Sequence, residues 1–295
     1  MSHNHNHIDH NEFNKKFKIG IILNSAFIII EIFFGLTFNS LALIADAGHN
    51  LSDVLGLIIA WVANYLILKK PTKNFTYGFK RTSILAAMLN SLLLIFALGI
   101  ILWEAVERLN STQEVNGNII MIVAGIGVII NGITARLFVH GKEKDLNLKG
   151  AYLHMLADAL ISAGVVVSGL IIYLTHFYWL DSIISIVIVF VIFMGTWKLL
   201  RDSTVLTLDG VPVNISYENV KQYLLENSEI ESIHHLHIWA LSTSEAALTV
   251  HIIPKSKINS DKLIRKVNEG LLEKFQISHT TIQIEIENCE NTLEV

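Results

Sequence analysis

The sequence predicts an α-helical membrane protein, with six transmembrane helices and a C-terminal cytoplasmic α+β domain. Three observations carry that prediction. The chain of 295 residues is 52% hydrophobic and only 16% charged, against roughly 25% charged in soluble domains. Six apolar runs are each long enough to cross about 30 Å of hydrocarbon. Beyond about Asp202 these runs stop and the pattern becomes that of a small soluble domain. The net charge of −4 is too mild to suggest a nucleic-acid partner. A single cysteine, Cys289, excludes a disulfide framework and a multi-cysteine metal cluster.

The apolar runs cover residues 17–38, 40–68, 82–109, 118–139, 150–177 and 180–200. Pro71, Pro212 and Pro254 all fall outside them, so each is free to form a continuous helix. Basic residues alternate in sidedness. Lys15, Lys16 and Lys18 precede the first run, Lys69, Lys70, Lys73, Lys80 and Arg81 sit around the second connection, and Arg136, Lys142, Lys144 and Lys149 around the fourth. Lys198 and Arg201 close the sixth run, while the opposite side carries only Arg108. The positive-inside rule then puts both termini in the cytoplasm. The N-terminal "MSHNHNHIDHNEFNKKFK" lacks an apolar core followed by small residues, so it is read as a tail and not as a signal peptide. In the C-terminal part, "SYENVKQYLLEN" and "SDKLIRKVNEGLLEKF" have helical periodicity. "SIHHLHIWAL", "EAALTVHIIP" and "TTIQIEIE" read as strands, which gives the order αββαβ. The chain therefore divides into a His-rich tail (1–16), a six-helix membrane domain (17–202) and a cytoplasmic domain (203–295).

Ionisable groups inside the apolar runs are the chemical signal. The second run holds "HNLSD", with His49 and Asp53, and the fifth holds "HMLAD", with His154 and Asp158. Positions i and i+4 of a helix share one face. At 1.5 Å per residue, His49 and Asp53 lie about 16 and 10 Å from the cytoplasmic edge, and His154 and Asp158 about 9 and 15 Å. If the two helices are neighbours, two nitrogens and two oxygens converge near mid-membrane. That donor set suits tetrahedral Zn²⁺ and tolerates Cd²⁺, Co²⁺ or Ni²⁺. The plainer reading of each pair is a hydrogen bond that stabilises its helix. The repeat at matching depth, where a charge costs several kcal/mol, favours the metal reading. Asp46 stands between two readings, an approach path to the site and a local hydrogen bond. Glu31, Asn24, Asn90 and Asn131 are expected to make interhelical hydrogen bonds. Asp181, at the start of the sixth run, complements the helix dipole.

At "SLALIADAGHNLSD", "YGFKRTSILAA", "AYLHMLADAL", "IHHLHIW" and "HTTIQIE" the chain resembles the cation diffusion facilitator family, and within it the bacterial zinc-type exporters. The resemblance covers nearly the whole chain. It implies a homodimeric metal/proton antiporter of the inner (plasma) membrane, with a ferredoxin-like cytoplasmic domain that senses metal and dimerises. Zn²⁺ would be both the transported substrate and a regulator. His49, Asp53, His154 and Asp158 match the family's transport site. Arg81 matches a basic position that ties the membrane part to the tail near Asp209; the plainer reading is that it only anchors the cytoplasmic interface. His234, His251 and Glu285 match positions used for regulatory zinc. Strand alternation sets His235, His237 and Trp239 on the face opposite His234, so the three histidines of "HHLH" are not expected in one site. His279 is a candidate further ligand, against the plainer reading of a solvated loop histidine. The chain departs from the family in three places. Phe75, Tyr77 and Phe79 stand where some members have metal-binding histidines, Ser83 stands where an acidic residue is common, and His140 is the only histidine of the fourth connection. His3, His5, His7 and His10 of the tail are candidates for loose metal capture.

Three other functions compete with export. A membrane-embedded zinc hydrolase would require a general base, typically on an HExxH helix, and no HExxH occurs. A sensor or scaffold would bind metal with the same ligands and move none. A passive channel would not move metal uphill. Transport without catalysis is the expected function.

Overall fold

A computed structural model describes residues 10–67, 69–111, 113–138, 146–255 and 259–285. His3, His5, His7, His140 and Cys289 lie outside the described residues. Six helices come first, as the apolar runs predict: α1 (His10–Thr37), α2 (Leu41–Ile67), α3 (Thr82–Asn110), α4 (Gly117–Phe138), α5 (Leu146–Thr175) and α6 (Trp179–Thr207). Among the described residues, Thr82–Asn110, Gly117–Arg136, Tyr152–Thr175 and Trp179–Thr207 are long and apolar enough to cross a membrane, and Ile22–Thr37 is a shorter apolar stretch. α6 runs past Leu200, where its apolar run ends, to Thr207. The chain separates into two compact units, residues 1–58 with 90–197, and residues 59–89 with 198–295.

The first unit is a helical bundle. Phe27, Leu43, Leu98, Ile120, Val165, Ile172 and Ile188 form its interior. Ile29, Phe96, Trp103 and Phe190 point outward and are exposed, the arrangement lipid requires. Left-handed residues end two of its helices. Asn39 (φ 55°) follows α1 and His176 (φ 59°) follows α5, each letting the chain turn where another helical residue would prolong the rod. Asp181 does more than face its own helix dipole. Its carboxylate accepts from Ser40 Oγ at 2.7 Å and from the Leu41 amide at 2.8 Å. It thereby caps the first turn of α2 from a distant helix and fixes where α2 starts.

Lipid tails are as apolar as leucine, so apolar side chains alone do not drive these helices together. Close approach at small residues does. A methyl added at Gly169 of α5 would sit 2.7 Å from the Met121 nitrogen and 2.9 Å from the Gly117 oxygen. One added at Gly117 would sit 2.5 Å from the Tyr173 nitrogen. Backbone cannot yield there as a flexible side chain can, so α4 and α5 depend on hydrogen at these two positions.

The second unit holds the α+β domain: α7 (Tyr217–Leu225), β1 (Ile230–Ala240), β2 (Ala246–Pro254), α8 (Ser260–Phe275) and β3 (Ile277–Ile284). This is the αββαβ order read from the sequence. Ser216 and Asn259 cap α7 and α8, accepting from the amides of Asn219 and Lys262. Gln276, at φ 58°, closes α8. The sheet order is β1-β2-β3. β1 and β2 are an antiparallel hairpin, while β2 and β3 are parallel and joined through α8. Val220 and Leu224 of α7, and Leu263, Val267 and Leu271 of α8, are buried at i, i+4 spacing. They close over Leu248, Val250 and Ile252 of the central strand. In the α+β domain, burial of apolar side chains away from water drives folding, by about 1.5–3 kcal/mol for each large one buried.

The glycine contacts generate a stability prediction. Gly169→Val should destabilise the purified full-length protein by about 1–3 kcal/mol through overpacking, read as a lowered detergent-solubilised Tm. Gly125→Ala, with nothing within 4 Å of the added methyl, should leave Tm unchanged or slightly higher. Equal Tm values for the two variants would refute the close-approach account.

Candidate metal centres

The two HxxxD pairs meet. His49 Nε2 lies 3.1 Å from Asp158 Oδ1, and His154 Nε2 lies 3.1 Å from Asp53 Oδ2. Within each helix the same histidines reach their own i+4 aspartates at 3.7 Å. The earlier residue of one pair meets the later residue of the other, which is the register of antiparallel helices. The two imidazole rings stand edge to face with centroids 5.9 Å apart. Asp158 is buried, and His49, Asp53 and His154 are partly so. Ligand atoms of His49, Asp53 and Asp158 all lie within 4.8 Å of one another. Despite the short distances, Asp53 Oδ2 and Asp158 Oδ2 have no aligned donor. Buried carboxylate oxygens without a donor are costly, and a divalent cation between them would satisfy both.

Polar contacts link α1, α2 and α5 beside this centre. Ser162 Oγ donates to Asp46 Oδ2 at 2.9 Å, and Asn50 Nδ2 donates to Glu31 Oε2 at 3.2 Å. Asp46 and Glu31 are completely buried. Asn24 reaches Met155 Sδ at 3.7 Å. Asn131 departs from expectation: it is fully buried and neither atom of its amide has a partner among the described residues. Ser162, one turn beyond Asp158, carried no signal in the sequence, because serine is common in membrane helices.

The second centre is built by the sheet. His234 of β1 and His251 of β2 are cross-strand neighbours, and Gln283 of β3 faces His251 from the other side. Glu285 follows β3, held by its amide to the Ile252 carbonyl at 3.0 Å. Its carboxylate lies 2.7 Å from His251 Nδ1 and 3.1 Å from His234 Nε2, and it accepts from Gln283 Nε2 at 2.7 Å. Burial would raise the Glu285 carboxyl, but His234 and His251, with the Gln283 amide, outweigh it and hold it below its ordinary range. The stability this lends is complete above the ordinary carboxylate range and is lost as pH falls through the lowered value. His234 Nε2, His251 Nδ1 and Glu285 Oε2 lack aligned hydrogen-bond partners among the described residues, as Asp53 Oδ2 and Asp158 Oδ2 do in the helical centre.

The structure corrects two expectations here. Regular alternation would turn His235 away from His234. Instead β1 has an irregular register between His234 and His237, and His235 takes a left-handed φ of 49°. A bulge of this kind re-aims a side chain. The His235 ring lies 5.1 Å from that of His251 and 5.2 Å from that of His234. His237, beyond the bulge, is exposed. His279 is not in a loop; it lies in β3 opposite Ala247, with its ring edge to face with Tyr77 at 5.2 Å.

The second connection is tied to this same unit. Arg81 pairs with Asp209, which is the φ 60° residue after α6. Lys80 pairs with Glu245 in the β1–β2 turn, a contact the sequence did not suggest. Ser83 Oγ accepts from the Thr243 amide at 3.2 Å, so the serine that replaces an acidic residue still makes a polar contact.

Comparison with known proteins completes the picture. The family model for the cation efflux transmembrane domain matches residues 17–208. That for the cation efflux protein cytoplasmic domain matches residues 212–287. The chain is 38% identical over 289 residues to the metal cation efflux system protein CzcD of Cupriavidus metallidurans, covering 98% of this chain and 91% of that one. It is 36% identical over 293 residues to the zinc transporter ZitB of Pectobacterium atrosepticum, covering 99% and 91%. It is 34% identical over 301 residues to the cadmium, cobalt and zinc/H(+)-K(+) antiporter of Bacillus subtilis, covering 99% and 95%. With both parts matched and relatives of this similarity along its whole length, the chain belongs to the cation diffusion facilitator family of cation efflux transporters.

Proposed function

We propose that the protein exports Zn²⁺ from the cytoplasm in exchange for protons, with His49, Asp53, His154 and Asp158 holding the ion in transit. The observation that carries this is the reciprocal pairing of two HxxxD motifs from α2 and α5, with carboxylate oxygens left without aligned donors. Relatives named for zinc, and for exchange of cadmium, cobalt and zinc against H⁺ and K⁺, support the substrate class and the antiport.

Metal binding needs neutral imidazoles and ionised carboxylates. From the outer side protons compete for His49 and His154 and release the ion. On the more alkaline cytoplasmic side the histidines lose those protons and bind again. Two nitrogens and two oxygens hold zinc less firmly than thiolates would, so the ion can leave. Rocking of helices about a fixed site exposes it to each side in turn. The protein works as a homodimer in the inner membrane, with both termini in the cytoplasm. Residues 17–202 form the transport domain and 203–295 the sensing and dimerising domain, where zinc at His234, His251 and Glu285 regulates export. Arg81 and Asp209 link the second connection to the end of α6. The N-terminal histidines, His3, His5, His7 and His10, gather metal at the cytoplasmic face.

Three outcomes test this reading in proteoliposomes. Asp53→Ala and Asp158→Ala should each reduce zinc flux to the level of empty liposomes while the protein stays folded; wild-type flux in either would remove the site assignment, and a wild-type protein that binds zinc but moves none would be a sensor. His49→Asp should widen the substrate range towards Cd²⁺ or Mn²⁺, because an oxygen replaces a nitrogen in the donor set; an unchanged selectivity panel would count against His49 as a ligand. Zinc affinity of the full-length protein should fall by about tenfold per pH unit on acidification for each proton displaced, and calorimetry showing no pH dependence would exclude competition between protons and metal.

A further inference from the structure

We propose that Glu31 of α1 and Asp46 of α2 form a proton-binding site of their own, separate from the four metal ligands, which holds a proton exchanged for zinc. The inference rests on the antiport reading above and adds a place for the counter-ion.

Both side chains are 0% exposed, and Asn50, which holds Glu31, lies one helical turn beyond Asp46 on the same face of α2. Each has one oxygen satisfied by a neutral donor, Glu31 Oε2 by Asn50 Nδ2 and Asp46 Oδ2 by Ser162 Oγ. The other two oxygens, Glu31 Oε1 and Asp46 Oδ1, have no donor. An ionised carboxylate only accepts hydrogen bonds. Two ionised carboxylates facing each other would leave both oxygens unsatisfied and place two like charges together in a dry interior. A single proton removes both penalties: one carboxyl becomes the donor its neighbour lacks, and one charge disappears. Asn50 and Ser162 cannot supply that proton, because an amide and a hydroxyl stay neutral.

The titratable groups nearest along these helices are His49 and Asp53 of α2, within about two turns of Asp46, and His154 and Asp158 of α5, within about two turns of its partner Ser162. α4, packed on α1, carries only Arg136, in its last turn. Asp46 lies one helical turn before His49, and Glu31 comes from a different helix. The pair is therefore near enough to respond to charge at the metal centre without being part of it. A divalent ion between Asp53 and Asp158 cancels the repulsion from Asp158 and adds positive charge nearby, which favours release of the shared proton. Loss of the ion reverses this. Metal and proton thus exclude one another by electrostatics across one turn of helix, beyond direct competition for the same atoms.

The full-length protein in lipid tests this. Infrared spectra of the wild type should show a protonated-carboxyl C=O stretch that weakens when Zn²⁺ is added and is missing from Glu31→Gln. In proteoliposomes, Glu31→Gln should lose accumulation driven by a pH gradient about tenfold more than it loses zinc–zinc exchange, and Glu31→Asp, which keeps a titratable group, should recover part of the coupling. The proposal is overturned if Glu31→Gln accumulates zinc under the gradient as the wild type does, or if the carboxyl band is unchanged by the substitution. Should Glu31→Gln fail to fold, Asp46→Asn removes the same band from the other side of the pair. A wild type that shows no gradient-driven accumulation would refute the antiport and with it the coupling role, whereas the infrared band alone decides whether the pair holds a proton.

Discussion

The reciprocal approach of His49 to Asp158 and of His154 to Asp53 is the constraint on which the bundle turns. Four ionisable side chains at membrane depth are expensive unless each meets a partner. Helical i, i+4 spacing aligns two of them on each helix, but only correct depth and rotation bring the two faces together. Several otherwise unremarkable contacts serve that requirement. Asp181 caps the start of α2, eight residues before His49. Ser162 of α5 reaches Asp46 of α2, a second polar link between the same two helices one turn from the first. Gly117 and Gly169 let α4 lie against α5 at backbone distance.

The two candidate metal centres reach a common result by different routes. In the helices, ligands are gathered by periodicity and held by interhelical contact. In the soluble domain, they are gathered by register, with His234 and His251 opposed across a hairpin and Glu285 delivered by the strand on the other side. Each centre has a carboxylate caught between two histidines and polar atoms lacking aligned donors. Their settings differ. The cytoplasmic centre lies in a sheet stabilised by its own apolar core. The helical one has the buried polar groups Asp46, Asn50 and Ser162 on the same two helices.

Where the sequence misled, a local break of regular geometry was responsible. Alternation is sound for an unbroken strand, yet a single left-handed residue at His235 inverts its consequence. Nothing in "IHHLHIW" marks that residue, since histidine is neither glycine nor asparagine. The pairing of Lys80 with Glu245 was equally silent. It joins residues 165 apart, and charged residues in connections are ordinarily solvated. Asp181 was read as serving its own helix, because a partner backbone 140 residues away leaves no trace in local composition.

The sequence by itself determined the membrane helices, the αββαβ order of the soluble part, and the i, i+4 pairs His49/Asp53 and His154/Asp158 as candidates for a metal centre. These follow from hydrophobic run length, from periods of 3.6 and 2 residues, and from the cost of charge in lipid, all of which are local properties. Tertiary structure alone decided which histidine meets which aspartate, that the His235 ring lies beside those of His234 and His251, and that Glu31 and Asp46 are buried, each with one oxygen lacking a partner among the described residues. Those facts depend on how helices rotate against one another and where a strand bulges, set by packing between residues far apart in the chain, which no local pattern encodes.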